Sequence, residues 1–93
     1  MTVEFSVQEV ITRSEAAAEG LREANAVYVD AETERTNLVA LLQPLMDDAS
    51  LRVLAEDRLG EAGAVLTRAI DDTDRSGDLL TRFAAALEDA LAV

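Results

Sequence analysis

The 93 residues carry nineteen acidic side chains against eight basic ones, all arginine, which gives a formal charge of −11 in a sequence without histidine or cysteine. Such a chain lacks the basic patches that nucleic acids and anionic membranes require, and without cysteine it forms neither disulfides nor thiolate metal sites. The missing histidine removes the commonest general base and the commonest zinc ligand, and the short length predicts one small domain with a thin interior.

No apolar stretch approaches the roughly 20 residues of a membrane-spanning helix. The N-terminal sequence from Met1 to Phe5 has no basic segment of the kind that opens a signal peptide. We therefore expect a chain that is made in the cytoplasm and has no membrane span. If it is exported, its route is independent of a signal peptide.

Helix one is predicted to cover about residues 7–43. Ser6 and Glu9 have the spacing of a capping box, so Met1 to Glu4 should form a short extended or frayed lead. Beyond the cap, apolar and small residues recur at alternating steps of three and four, as in helices that pack at a shallow angle. The two predicted seam rows are Val7, Ser14, Leu21, Tyr28, Arg35 and Leu42, and Val10, Ala17, Ala24, Ala31, Leu38 and Leu45.

Arg35 is the charged residue of these seam rows. Its aliphatic stem can pack between helices while the guanidinium reaches an acid at the surface, such as Glu32. We therefore predict a structural role for Arg35.

The only proline, Pro44, marks a predicted turn at residues 44–48, because its ring clashes with a continuing helix. The side chains that can cap the next helix are those of Asp47, Asp48 and Ser50. Helix two is predicted at about residues 49–91, antiparallel to helix one. Its predicted seam is Ala55, Leu59, Ala62, Leu66, Ala69, Thr73, Ser76, Leu80, Phe83, Leu87 and Ala90.

A polar segment at residues 71–78 leaves two interpretations of helix two. The segment could end the helix, with a third helix starting at Ser76 or Asp78. Alternatively the helix is continuous, which is favoured because Leu66 and Leu80 keep the same heptad register on either side. Gly77 is then the expected position of a kink, since glycine costs about 1 kcal/mol inside a helix.

No combination of residues predicts catalysis. Serine and threonine nucleophiles need a base, and the sequence has neither histidine nor lysine. The segment from Asp71 to Gly77 comes nearest to a calcium loop, but Arg75 interrupts it and no glutamate follows at the required distance. We expect neither an enzyme nor a metal or cofactor site.

Apolar residues also flank the predicted seams, which makes the apolar surface broader than a two-helix hairpin requires. A stripe of this breadth is typical of helices with two neighbours, as in a four-helix bundle. The fold class predicted is therefore all-α, an antiparallel two-helix hairpin at residues 1–93 that pairs with another hairpin. The predicted partner interface comprises Val27, Val39, Leu41, Val65, Ile70, Leu79, Phe83 and Leu91. Two copies would combine −22 of charge, so a different hairpin is slightly favoured over a second copy.

Tyr28 and Glu32 stand one helical turn apart in an alanine-rich context. This pattern resembles the Tyr-x-x-x-Asp/Glu export signal of type VII secretion substrates, small helical hairpins of about a hundred residues that pair into four-helix bundles. Two features depart from that family: the Trp-x-Gly turn is missing, and the tyrosine lies in helix one rather than at the end of helix two. The resemblance implies Tyr28 and Glu32 as a candidate export signal.

The expected function is thus that of a non-enzymatic hairpin acting through a partner hairpin, as a type VII secretion substrate or its secretion partner. Two alternatives remain: an acidic inhibitor or antitoxin that covers a basic surface, and a chaperone-like helical module for a larger protein.

Overall fold

The computed structural model describes the backbone of residues 3–92 and the side chains of residues 7–92. Two long helices make up nearly all of it: α1 covers Val3–Leu42 and α2 covers Ala49–Ala92, joined by a 3₁₀ turn at Gln43–Leu45. The described residues contain no strand. The prediction of two long helices in an all-α chain is confirmed, and their arrangement is consistent with a helical hairpin. Neither of these helices is long and apolar enough to cross a membrane.

The start of α1 differs from the prediction. An N-cap residue has non-helical backbone angles, whereas Ser6 follows Val3 and Glu4 inside the helix. The predicted cap at Ser6 is therefore wrong, and its side chain lies outside the described residues, as do Met1 and Thr2 of the predicted lead. No proline or glycine precedes Ser6, so the backbone has nothing to stop the helix from extending by another turn.

The connection between the helices is built around Pro44, as predicted. Pro44 occupies an early position of the 3₁₀ turn, where its missing N–H leaves no hydrogen bond unmade. The turn then closes through a hydrogen bond of 3.2 Å from the Met46 N–H to the Gln43 carbonyl. None of the described residues, including those of this turn, has a positive φ angle.

Asp48 starts α2. Its Oδ1 accepts hydrogen bonds from the N–H groups of Ser50 at 2.9 Å and Leu51 at 3.1 Å. Its carbonyl accepts the first helical hydrogen bond, from the Arg52 N–H at 2.9 Å. Of the candidate caps, Asp48 therefore performs the role, and α2 begins at Ala49 as predicted.

Helix α2 is continuous through residues 71–78, so the alternative with a third helix is wrong. Gly77 is buried there, and an added Cβ would lie 3.7 Å from both the Ala18 carbonyl oxygen and the Leu21 Cβ. The glycine thus faces α1, and a methyl group at this position would make ordinary van der Waals contacts with it.

The chain forms two compact units. The terminal unit pairs the α1 segment up to Asn25 with the α2 segment from Asp72 onwards, and the turn unit comprises Ala26–Asp71. All apolar side chains that are buried in the described part of the chain lie in the terminal unit. They are those of Ile11, Ala18 and Ala84. The polar side chain of Ser14 is buried in the same unit. The turn unit has a partly buried interior instead.

One of the two predicted seam rows of α1 faces inward and the other does not. The row from Val7 to Leu42 is buried or half-buried throughout. The row from Val10 to Leu45 is exposed except at Ala24, so its assignment to the hairpin interior was wrong. The row that replaces it is Ile11, Ala18, Asn25, Glu32, Val39 and Met46. The row of Val10 begins three residues after Val7 and the row of Ile11 begins four residues after it, so the two rows lie on either side of the row of Val7. Heptad spacing alone therefore could not show which of them faces inward.

The seam of α2 follows the prediction as far as Thr73 and then shifts by one residue at two positions. Gly77 and Ala84 are buried where Ser76 and Phe83 were expected, while Phe83 is 47% exposed. Small side chains let two helices approach closely, whereas a phenylalanine at that position would hold them apart. Ala90 is likewise exposed rather than internal.

Candidate protein-interaction face

A group of large apolar side chains in the turn unit is exposed to solvent. The most exposed are Leu41 at 71%, Val27 at 65% and Val53 at 61%, followed closely by Val65. Monomeric proteins scatter single apolar residues over their surface, but a contiguous patch marks an interaction site. Val53 lies alone on another side of α2. We define the apolar face as Val27, Leu38, Leu41 and Leu45 on α1 with Leu51, Leu54 and Val65 on α2.

Helix geometry places these side chains on one side of the turn unit. On each helix they lie roughly a quarter-turn from the inward row, in the same rotational direction when each helix is viewed from its N-terminus. In an antiparallel pair, equal rotations of that kind point to the same side. The apolar face is therefore one surface with contributions from both helices.

The predicted interface residues divide between this face and other positions. Val27, Leu41 and Val65 belong to the face, whereas Val39 and Ile70 are half-buried. In the terminal unit, three predicted residues are exposed: Leu79, Phe83 and Leu91. Leu38 and Leu45 were missed as interface residues because their row was assigned to the hairpin interior.

Charged side chains of both signs accompany the apolar face. Helical spacing places Glu34, Arg58 and Glu61 among its apolar residues, and Arg68 lies at its edge with a side chain long enough to reach over it. All four side chains are exposed. We call these two acids and two arginines the face charges.

The other charges of the turn unit are seven acids and two arginines. Three of these acids, Asp30, Asp57 and Asp71, border the face, and the Oδ2 atom of Asp57 lies 3.8 Å from the Nε atom of Arg58, one of the face charges. The rest lie on the inward rows or on other sides of the unit. The apolar face together with its border is therefore net acidic, like the rest of the turn unit.

The candidate export signal is not freely exposed. Tyr28 is half-buried in the inward row, and both carboxylate oxygens of Glu32 accept hydrogen bonds from Arg35, with Nε–Oε2 at 2.9 Å and Nη2–Oε1 at 2.6 Å. These hydrogen bonds lower the pKa of Glu32 below its ordinary value and raise the pKa of Arg35. The prediction that the Arg35 guanidinium reaches Glu32 is confirmed.

Arg35 also depends on the glycine beneath it. Its Nη1 lies 3.4 Å from the Leu59 carbonyl oxygen on α2, a weak hydrogen bond. A Cβ built at Gly63 would come within 2.7 Å of the guanidinium carbon and Nε of Arg35. Gly63 therefore leaves the space in which the guanidinium crosses the interior of the turn unit.

The terminal unit has a polar side with two shallow grooves. One, of about 260 Å³, contains the hydrogen bonds from Arg22 Nη2 to Thr81 Oγ1 at 2.9 Å and from Asn25 Nδ2 to Thr73 Oγ1 at 3.0 Å. These bonds join α1 to α2 across the groove.

The other groove, of about 410 Å³, brings Glu15 of α1 and Glu88 of α2 together. The hydrogen bond with Glu15 and the repulsion between the two carboxylates raise the pKa of Glu88, with burial and Asp89 adding to the shift. Pairing across helices placed these acids together, and the sequence pattern on one helix did not predict it. Among the side chains of residues 7–92, no group of three His, Cys, Asp or Glu residues is placed to hold a metal ion.

No protein-family model matches the chain, and comparisons with curated proteins and with solved structures give no significant match. The apolar face and the residues around it are therefore the features of the chain that indicate a function.

Proposed function

We propose that this chain is a non-enzymatic helical hairpin that acts by pairing with another helical hairpin, as a type VII secretion substrate or its secretion partner. The apolar face carries this proposal. It presents seven large aliphatic side chains to water, five of them at least 53% exposed. A second pair of helices laid on the face would complete a four-helix bundle.

The energetic reason is the removal of apolar surface from water, which stabilises a complex by roughly 25 cal/mol per Å² before the costs of association. The turn unit has most to gain, since its interior is only partly buried. The long side chains of the face charges can extend out of such an interface, so that their charged ends keep their hydration.

The secretion setting is supported by the resemblance at Tyr28 and Glu32 and by the helical hairpin. In this proposal the two residues form a signal on the helix rather than on a free tail. The secretion machinery would then recognise Tyr28 together with the ion pair of Glu32 and Arg35.

Thiol labelling tests the pairing, because the chain has no cysteine of its own. Val65→Cys places a single thiol on the apolar face, and Val53→Cys is a matched control on another side of α2, with exposures of 60% and 61% for the native valines. In cells that express the chain with its neighbouring genes, a maleimide should label Cys at position 53 and leave position 65 protected. Equal labelling at both positions would show a free face and overturn the proposal.

An acidic inhibitor is the second candidate, favoured by the excess of acids over arginines in the turn unit. In that case the partner would bind the acidic sides. Glu56→Arg, away from the apolar face, would then weaken binding, whereas Val65→Glu would leave it intact. The pairing proposal expects the opposite result from the same variants.

A further inference from the structure

We propose that the occupant of the apolar face is a partner helix whose aliphatic residues are bordered by lysine or arginine. This inference rests on the proposed function, since it gives the chemistry of the partner hairpin. The charges on the apolar face and along its border carry it. They are the carboxylates of Asp30, Glu34, Asp57, Glu61 and Asp71 and the guanidinium groups of Arg58 and Arg68.

The acids of this surface outnumber its arginines. Five carboxylates against two guanidinium groups give a net charge of −3. Of the five acids, only Asp57 has an ion pair within the described residues, at 3.8 Å from Arg58, and the two side chains are 71% and 73% exposed. An exposed pair of this kind contributes little, and Arg68 is the remaining cation beside four acids. Most carboxylates around the apolar face therefore have no counter-ion in the described part of the chain.

Charge distinguishes the surfaces that could cover the face. A second copy would bring another net charge of −3 against it, and an anionic membrane would also present like charges. An uncharged partner would remove carboxylates from water without supplying a counter-ion. Lysine or arginine at the border of a partner supplies the counter-ions, and the aliphatic stems of these residues add apolar contact.

The spacing of the leucines favours a helix as the covering element. On α1, Leu38, Leu41 and Leu45 follow one another at steps of three and four residues, and on α2 Leu51 and Leu54 are three residues apart. Side chains at this spacing form ridges, and the side chains of another helix pack between such ridges. The partner helix then carries its own aliphatic residues at this spacing, with its basic residues on either side of them.

Two synthetic amphipathic helical peptides with the same leucine pattern test this chemistry, one with lysine and the other with glutamate at its polar positions. Fluorescence anisotropy at physiological salt measures their binding to the purified chain. We expect the lysine peptide to bind at least about tenfold more tightly, because its charges complement those around the face. Equal affinities of the two peptides would overturn the proposal.

Two substitutions on α2 separate docking on the face from general attraction between an acidic chain and a basic peptide. Val65→Glu adds a negative charge, so general attraction predicts tighter binding of the lysine peptide. Docking on the face predicts binding that is roughly tenfold weaker, because apolar contact is lost. Val53→Glu makes the same change outside the face at nearly the same native exposure and should not weaken binding. Equal or tighter binding by Val65→Glu would overturn the proposal.

Glu61→Arg and Glu56→Arg form a matched pair for the charges around the face. Both native side chains are exposed on α2 and both substitutions change the net charge equally, but only Glu61 belongs to the face charges. Glu61→Arg should weaken binding of the lysine peptide about fivefold or more, whereas Glu56→Arg should change it less than about twofold. Equal effects would assign the preference to overall charge and overturn the proposal.

The outcomes separate this inference from the proposed function. Protection of position 65 from maleimide in cells, without a preference for the lysine peptide, would overturn the basic partner and retain pairing with another hairpin. Equal labelling at positions 53 and 65 would overturn the pairing itself, and the basic partner with it. A native chain that dimerises in sedimentation equilibrium, and that Val65→Glu converts to a monomer, would place a second copy on the face and overturn the basic partner.

Discussion

At the scale of single residues, the glycines of α2 differ in the space around them. An added Cβ would meet open space at Gly60, ordinary contacts at 3.7 Å at Gly77, and a collision with Arg35 at 2.7 Å at Gly63. The same chemical change therefore has different consequences at three positions of one helix.

We predict that Gly60→Ala and Gly77→Ala each stabilise the chain by up to about 1 kcal/mol, because alanine has the higher helix propensity. Gly63→Ala should gain less, since its Cβ displaces the Arg35 guanidinium from Glu32. Thermal denaturation of the three variants measures the order. A gain at Gly63 equal to that at Gly60 would contradict the role assigned to the space beneath Arg35.

Tyr28 has a packing role and a proposed export role, which one pair of variants separates. Tyr28→Ala should lower stability by less than the roughly 3–5 kcal/mol of a fully buried aromatic residue, because its side chain is half-buried. It should also abolish secretion. Leu59→Ala removes a comparable half-buried side chain from the same unit and should lower stability while secretion continues. Equal loss of secretion in both variants would assign the effect to stability alone.

At the scale of elements, the first turn of α2 depends on one carboxylate. Asp48→Ala removes the acceptor of the Ser50 and Leu51 N–H groups and should cost about 1 kcal/mol. Asp48→Asn keeps a capping oxygen and should cost less, while Asp47→Ala is the neighbouring control. Urea denaturation gives the three values. A loss at Asp47 as large as that at Asp48 would contradict the observed cap.

The sequence predicts some of the rows that face inward on the two helices, but not all of them. The inward row from Val7 to Leu42 and the first half of the α2 seam followed from heptad spacing alone. The second α1 row did not, because the row from Val10 and the row from Ile11 are both compatible with that spacing, and the more apolar of the two faces solvent. Packing against Gly77 and Ala84 decides between them, and that information belongs to the other helix.

The same limit applies to the candidate site. Val27, Leu41 and Val65 were recognisable as surplus apolar residues, whereas Leu38 and Leu45 fitted the expected interior. Their exposure became apparent only when the structure showed which side of each helix faces the other. The contact of Glu15 with Glu88 was equally invisible, since it joins residues far apart in sequence.

At the scale of the whole molecule, two carboxylates give opposite pH dependences. The lowered pKa of Glu32 contributes stability that is present above its unfolded-state pKa and is lost as pH falls through the lowered folded-state value. The raised pKa of Glu88 contributes stability that is present below its unfolded-state pKa and is lost as pH rises through the raised value. At neutral pH the pair of Glu15 and Glu88 therefore opposes folding.

We predict that Glu88→Gln raises the melting temperature at pH 7, where it removes the repulsion from Glu15, and gives no gain at a pH well below the ordinary carboxyl pKa. Glu56→Gln changes the net charge equally at an exposed position of the turn unit and serves as the control. Melting curves across this pH range test the prediction. An equal rise in melting temperature in both variants would show that the lower net charge, and not the repulsion between Glu15 and Glu88, causes the effect.

The buried apolar side chains of the described residues, Ile11, Ala18 and Ala84, lie in the first and last quarters of the sequence, and this affects how the chain acquires its structure. Arg22 and Thr81, which bond across the terminal unit, are 59 positions apart. A ribosome must therefore release most of α2 before these contacts can form, and the long loop must close against its own entropy. Until then only the contacts of the turn unit can form, and its exposed apolar face is accessible to a chaperone, a protease or a partner hairpin.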